Sequence, residues 1–396
     1  MACIWAAPAI PQSEFRARRS ELRKTLDGTL VLFGRTEGAD EVYRLGQEPN
    51  FYYLTGYSEP GAILIVTKTD ETLFLPRRND RREIYMGHRP APGDKDVSEV
   101  TGFDHVLPIE KFESTLAQAI ESGEHVYALT ERPESARLKP LIPMRELTNA
   151  RTMLANLRGT KSAGELAAIT KTTDITVAAQ KAAWKRVTPG IYEYQAVAVF
   201  TASLLDAGCE GYSYAPIFGS GPNSTVLHYS ASTRRMDAGE VMVIDAAAQC
   251  GNYASDVTRT VPVNGKFSPR QRELYEIVLG AQKAAIAAIK PGIAMADLTK
   301  IAREYINTHG KDLHGESLGK YLPHGVSHHV GLDVHDPGPL TLAAGMVITV
   351  EPGIYIPEEN IGIRIEDTVL VTETGARNLS AGLPREPDEV EKAMAH

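Results

Sequence analysis

Apolar positions recur along this chain at two different periods. Residues 15–27, FRARRSELRKTLD, carry helical spacing, whereas GTLVLFG (28–34) and AILIVTK (62–68) are short apolar runs closed by turn residues and predict strands. YALT (127–130) predicts another. Strands alternating with helical stretches make the first part of the chain an α/β domain. The pattern changes near ANLRGTKSAGELAAI (155–169), where Ser162 and Glu165 hold capping-box spacing ahead of a helix running to about Val187. A second helix is expected over 192–207, then strands at 211–218, 241–247 and 254–263, helices at 268–289 and 294–308, and strands at 346–351 and 361–372. Two helices followed by an acid-bearing strand pair therefore occur twice. The domains are placed at 1–157 and 158–396.

The acids sit where the pattern is most apolar. In VMVIDAAAQCGNYASDVTRT (241–260), a two-residue turn at Cys250-Gly251 would set Asp245 directly opposite Asp256, with Cβ atoms roughly 5 Å apart. In VITVEPGIYIPEENIGIRIEDTVLV (347–371), Glu351 and Glu366 are symmetric about PEEN, so this hairpin also brings its acids face to face. Four carboxylates inside apolar strands cannot all be ionised there alone. Either their pKa values rise or divalent cations neutralise them. LPHGVSHHVGLDVHDPG (322–338) adds His324, His328, His329 and His335. A lone Asp or His of this kind is ordinary; two symmetric acid pairs with a histidine cluster are not. Oxygen-rich donors with an imidazole exclude Cu(I) and a thiolate-type zinc site, which leaves Mn(II), Co(II), Fe(II) or Zn(II). Two such ions balance four negative charges and generate a nucleophile at neutral pH, which is hydrolase chemistry.

Composition sharpens the picture. At 396 residues the chain exceeds one ordinary core. A formal net charge of −8 argues against a general nucleic-acid or anionic-membrane binder. No stretch approaches the apolar length of a membrane span, and MACIWAAPAIPQSEF lacks the basic start of a signal peptide. Cys3, Cys209 and Cys250 are not expected to form a disulfide framework, which fits a reducing cytoplasm. The chain is therefore expected to be cytoplasmic.

The ordered contexts VIDAAA, ASDVTRT, HGVSHHVG, VEPGIY and IRIED resemble the signature of the pita-bread metallopeptidases: methionyl aminopeptidase, prolidase and aminopeptidase P. NFYYLTGYSEPGAILIV and DVTRTVPVNGKFSPRQRELYEIVL resemble the two domains of aminopeptidase P. The resemblance implies an α+β chain, with a C-terminal pita-bread (creatinase/aminopeptidase) domain preceded by a smaller α/β creatinase-type N-terminal domain. It implies a metal-dependent exopeptidase that releases the residue before proline (Xaa-|-Pro-Yaa) through a metal-bridging hydroxide, with prolidase, the Xaa-Pro dipeptidase, as the alternative. Two divalent ions per subunit, Mn(II) first and Co(II), Zn(II) or Fe(II) otherwise, would be held by Asp245, Asp256, His328, Glu351 and Glu366. Glu351 would also move the proton, with His228 and His335 at the scissile amide. His324, Tyr355 and Arg364 would line the proline pocket, and Tyr85 and Arg151 would contact substrate. Tyr85 stands where relatives carry Trp, and the flanks of Arg151 differ from the family's. His329 is expected to be structural. A homodimer or homotetramer acting on proline-containing peptides is implied, with neither nucleic acid nor membrane as partner. Methionyl aminopeptidase would lack the long front domain. A metal-free binding relative or a creatine amidinohydrolase would lack several of the five ligands.

Overall fold

The computed structural model describes residues 10–36, 46–121 and 125–395. Two compact units divide the chain, Ile10–Arg158 and Gly159 onward.

The first unit opens with α1 (Gln12–Thr25), whose Phe15 and Leu22 are buried two turns apart on one face. Six strands follow: β1 (Gly28–Phe33), β2 (Ile63–Val66), β3 (Glu71–Leu75), β4 (His105–Pro108), β5 (His125–Ala128) and β6 (Leu147–Asn149). They form one sheet in the order β4-β3-β2-β1-β5-β6. β1–β2 and β2–β3 pair antiparallel, while β1–β5, β3–β4 and β5–β6 pair parallel. β1 and β2 are buried along their whole length, as continuous apolar runs in a covered sheet require. Helices α2 (Pro49–Thr55), α3 (Asp80–Met86), α4 (Val97–Thr101), α5 (Phe112–Glu121) and α6 (Arg151–Gly159) complete this part of the chain.

The second unit repeats one theme. Helices α7 (Ala163–Trp184) and α8 (Glu193–Asp206) precede β7 (Gly211–Tyr212), β8 (Ile217–Ser220), β9 (Val241–Asp245), β10 (Ala248–Cys250), β11 (Tyr253–Ala254) and β12 (Thr258–Pro262). Helices α9 (Pro269–Ala288) and α10 (Met295–His309) precede β13 (Val347–Val350), β14 (Gly353–Ile356), β15 (Ile361–Arg364), β16 (Asp367–Val371) and β17 (Ala376–Asn378), and α11 (Pro387–Met394) closes the unit. α7 starts at Ser162 with the capping box the sequence predicts: Ser162 Oγ accepts from Glu165 N, and Glu165 returns the bond to the Ser162 amide. α7 lies against β10 and β11, and α9 against β13, β14 and β15, so each helix backs one acid-bearing hairpin. One apolar core, from Trp184 through Phe200 and Tyr275 to Ile363, fills the space between.

The cysteine expectation is corrected here. Cys209 and Cys250, both buried, are joined by a disulfide with Cα atoms 4.5 Å apart. The bond ties the segment after α8 to the tip of the β10–β11 hairpin. Spacing of 41 residues gave no hint, because α8 folds its C-terminal end back onto a hairpin formed later in the chain.

Candidate metal centre

Each acid pair sits where a hairpin ladder is interrupted. In the first hairpin the turn is Gly251-Asn252, not Cys250-Gly251: both residues have positive φ (59° and 69°), as a type I′ turn demands. Asn tolerates that conformation and Cys does not. The turn moves by one residue and the register by two on the second strand, so Asp245 faces Thr258 rather than Asp256. The two aspartates are diagonal neighbours instead. The hydroxyl of Tyr214 joins them, meeting Asp256 Oδ1 at 2.6 Å and also Asp245 Oδ1. No sequence signal singled out Tyr214, which lies in the irregular stretch between β7 and β8.

The second hairpin has the expected register. Val350 pairs with Asp367 and Gly353 with Arg364, and the chain reverses through 357–360 with Asn360 at φ 52°. Glu351 and Glu366 occupy the gap between these two ladders, facing one another in the same register.

The histidine segment runs beside β13, with Thr349 N donating to His328 O and Val330 N to Val347 O. His328 Nδ1 meets the His329 carbonyl at 3.0 Å, leaving Nε2 turned toward Asp256 Oδ2 (3.4 Å) and Glu351 Oε1 (3.3 Å). That arrangement fixes the tautomer a metal-binding imidazole needs. Ligating atoms of Asp256, His328 and Glu366 all lie within 4.8 Å of one another. Thr258 Oγ1 donates to Glu366 Oε2 at 2.6 Å and orients it. His329 is buried and its Nε2 meets Pro339 O at 2.8 Å, away from the carboxylates.

The remaining residues singled out from sequence fall in three places. Arg364 donates to Asp245 Oδ2 (2.6 Å) and to the Tyr355 hydroxyl (2.8 Å), and His324 Nε2 meets that same hydroxyl at 3.0 Å. His335 stacks edge-on against His328, with ring centroids 4.4 Å apart, and its outer side is exposed. His228 is exposed on the loop after the short turn Gly221–Thr225, close enough to influence both His324 and His335. Tyr85, on α3, and Arg151, which opens α6, belong to the first unit and are both exposed.

Burial pushes the carboxyls of Asp245 and Glu366 up, and Glu351 up to about 7 despite His328 beside it. Burial lowers His328, but Asp256 and Glu351 outweigh it and raise that imidazole to about 9. Left to themselves, these clustered groups hold protons where water would leave Glu351 ionised and His328 neutral. Four carboxylates and one imidazole nitrogen, already oriented by Thr258 and the His329 carbonyl, fit two divalent ions better than they fit one another.

Fold and cluster define a metallopeptidase, and comparison with known proteins is consistent throughout. Residues 167–373 match the metallopeptidase family M24 model, and residues 15–127 match that of the aminopeptidase P N-terminal domain. The Xaa-Pro aminopeptidase of Escherichia coli is 32% identical over 97% of this chain and 98% of its own. A Xaa-Pro dipeptidase of Pyrococcus furiosus is 35% identical over 89% of this chain and 96% of its own. The structure of aminopeptidase P from E. coli with the inhibitor Pro-Leu superposes with a TM-score of 0.87 at 30% identity, covering 98% of this chain and 99% of the other. The chain belongs to metallopeptidase family M24. It has the two-domain fold of the aminopeptidase P group, and divalent metal ions are its cofactors. Among the described residues no helix is long and apolar enough to cross a membrane.

Proposed function

We propose that the chain is a dinuclear metallo-aminopeptidase that releases the N-terminal residue from peptides with proline in second position. The observation that carries this is the convergence of Asp256, His328 and Glu366 within 4.8 Å, with Glu351 paired to His328 and Asp245 linked through Tyr214. In this assignment Asp245, Asp256, His328, Glu351 and Glu366 hold two divalent ions. Manganese is the first choice, with cobalt, zinc and iron(II) also suited to mixed oxygen and nitrogen donors. When bound, such a pair supplies a water acidic enough to attack at neutral pH and a Lewis acid for the carbonyl oxygen.

The protein's own groups do the rest. The bond before proline offers no N–H to bind, and its ring fixes φ near about −65°, so recognition rests on shape. Tyr355, His324 and Arg364, joined by hydrogen bonds of 2.8 and 3.0 Å, form one preset wall for that ring. Glu351 takes the proton of the attacking water and passes it to the leaving proline nitrogen. His335, held against His328, and His228 on its exposed loop steady the carbonyl undergoing attack. Substrate roles for Tyr85 and Arg151 rest on the family resemblance alone. A cytoplasmic homo-oligomer, dimer or tetramer, completes the proposal, although a buried Cys209–Cys250 disulfide is more usual in oxidising compartments.

Likeness to the Pyrococcus furiosus dipeptidase keeps prolidase as a second reading, and the match of residues 15–127 to the aminopeptidase P N-terminal domain favours the first. Purified protein with added Mn(II) should release Xaa from Xaa-Pro-Yaa tripeptides. Cleavage confined to Xaa-Pro dipeptides would replace the aminopeptidase by the prolidase.

A further inference from the structure

Both hairpins open at their acids, and in both the opening is filled by one glutamine from the helix behind. Gln180 on α7 directs Nε2 at the carbonyls of Ala246 (3.0 Å) and Val257 (2.6 Å), the residues that follow Asp245 and Asp256. Gln282 on α9 directs Nε2 at the carbonyls of Val350 (3.2 Å) and Ile365 (3.3 Å), the residues that precede Glu351 and Glu366. An amide NH2 has two hydrogens, and here each strand of the pair receives one. Only the NH2 end can face two carbonyl oxygens, so chemistry fixes the amide orientation in both helices. Both side chains are fully buried, and among the described residues neither Oε1 atom has a hydrogen-bond partner. Each NH2 group supplies donors to two buried backbone carbonyls, one on each strand of its hairpin, which an apolar side chain would leave without these partners.

α7 extends the device along one face. Thr176 Oγ1 accepts from Ala248 N at 2.9 Å, and Thr172, Thr176 and Gln180 follow at intervals of four residues. The ladder that would otherwise close at Ala246 and Val257 is thus held open by side chains and not by strain. Arg259 acts at the junction of the hairpins, bonding the Glu366 carbonyl and pairing with buried Asp367 at 2.7 Å.

We infer that Gln180 and Gln282 are a matched pair of positioning residues, each setting the separation of the two carboxylates on its hairpin and thereby the bite of the metal centre. This rests on the assignment of the five ligands made above. Neither glutamine touches substrate or metal; each acts through the strands that carry the ligands.

The test is metal titration of Gln180→Met and Gln282→Met, which keep length and flexibility and remove the donors. Each variant should bind Co(II) at least tenfold more weakly than the parent chain and show a changed visible absorption spectrum of the bound ion, with circular dichroism unaltered. Parent-like affinity and spectrum in both variants, with only the melting temperature moved, would overturn the inference. Should one variant fail to fold, the other still decides, since each glutamine serves a separate hairpin. Glu366→Ala run alongside separates the two levels: it should lose metal outright, and retention of both ions there would overturn the ligand assignment itself.

Discussion

His328 and Glu351 show how single side chains encode the need for metal. Glu351 is held up at about 7 by burial, so its contribution to the stability of metal-free protein is present below the ordinary carboxylate range and is lost as pH rises through about 7. His328 is raised to about 9 by its carboxylate neighbours, against the pull of burial; its contribution is present below the ordinary imidazole value and is lost through about 9. Both act in the same direction. Chelated protein should therefore weaken as pH climbs from about 5 to about 9, while metal-loaded protein should not. Melting curves at both ends of that range check it: the gap between loaded and chelated forms should widen with pH, and a constant gap would contradict the pairing. His335 makes a separate prediction. It packs against the His328 ring and is not among the five proposed ligands, so His335→Ala should retain two metals and lose turnover by about 100-fold or more, the scale of losing one transition-state donor. Elemental analysis and kcat measured on the same sample check this, and near-parental kcat would remove its assigned role.

At the level of elements, the sequence was legible wherever local chemistry decides. The capping box at Ser162 and Glu165 starts α7 where its spacing says, and the PEEN turn sets the Glu351–Glu366 register. The other hairpin was misread by a single turn residue. Gly251-Asn252 is a strong two-residue turn, but the apparent symmetry of Asp245 and Asp256 favoured a register that needs Cys250 in the turn. The resulting diagonal placement is why Tyr214 is required to join the two acids. Asn252→Val should cost about 1–2 kcal/mol, because a β-branched residue is forced to positive φ. Asn252→Gly should be close to neutral. Denaturant unfolding of the two variants distinguishes them, and equal midpoints would mean the turn does not set the register. Strand-length expectations such as 254–263 also ran across a break, since the sequence pattern cannot show where a helix glutamine replaces a ladder bond.

Over the whole molecule, the class was readable and the five proposed ligands could be picked out, because these residues stand in short ordered contexts within apolar runs. Contacts made between distant segments were not. Tyr214, Gln180, Gln282 and the Cys209–Cys250 bond each depend on which distant segments fold together, and no local spacing reports that. The disulfide closes a segment with a separation of 41 residues; on chain-entropy grounds its reduction should lower stability by up to about 4 kcal/mol. Unfolding with and without a thiol reductant checks this, and identical curves would contradict it. If two acid-bearing hairpins and one histidine loop close around a pair of cations, counting metal in protein dialysed against Mn(II) and then freed of excess will reveal it. The expected result is two ions per chain in the parent and loss of both, with all peptide hydrolysis, in Glu366→Ala. Full hydrolysis of Xaa-Pro-Yaa by parent protein holding no metal would contradict it.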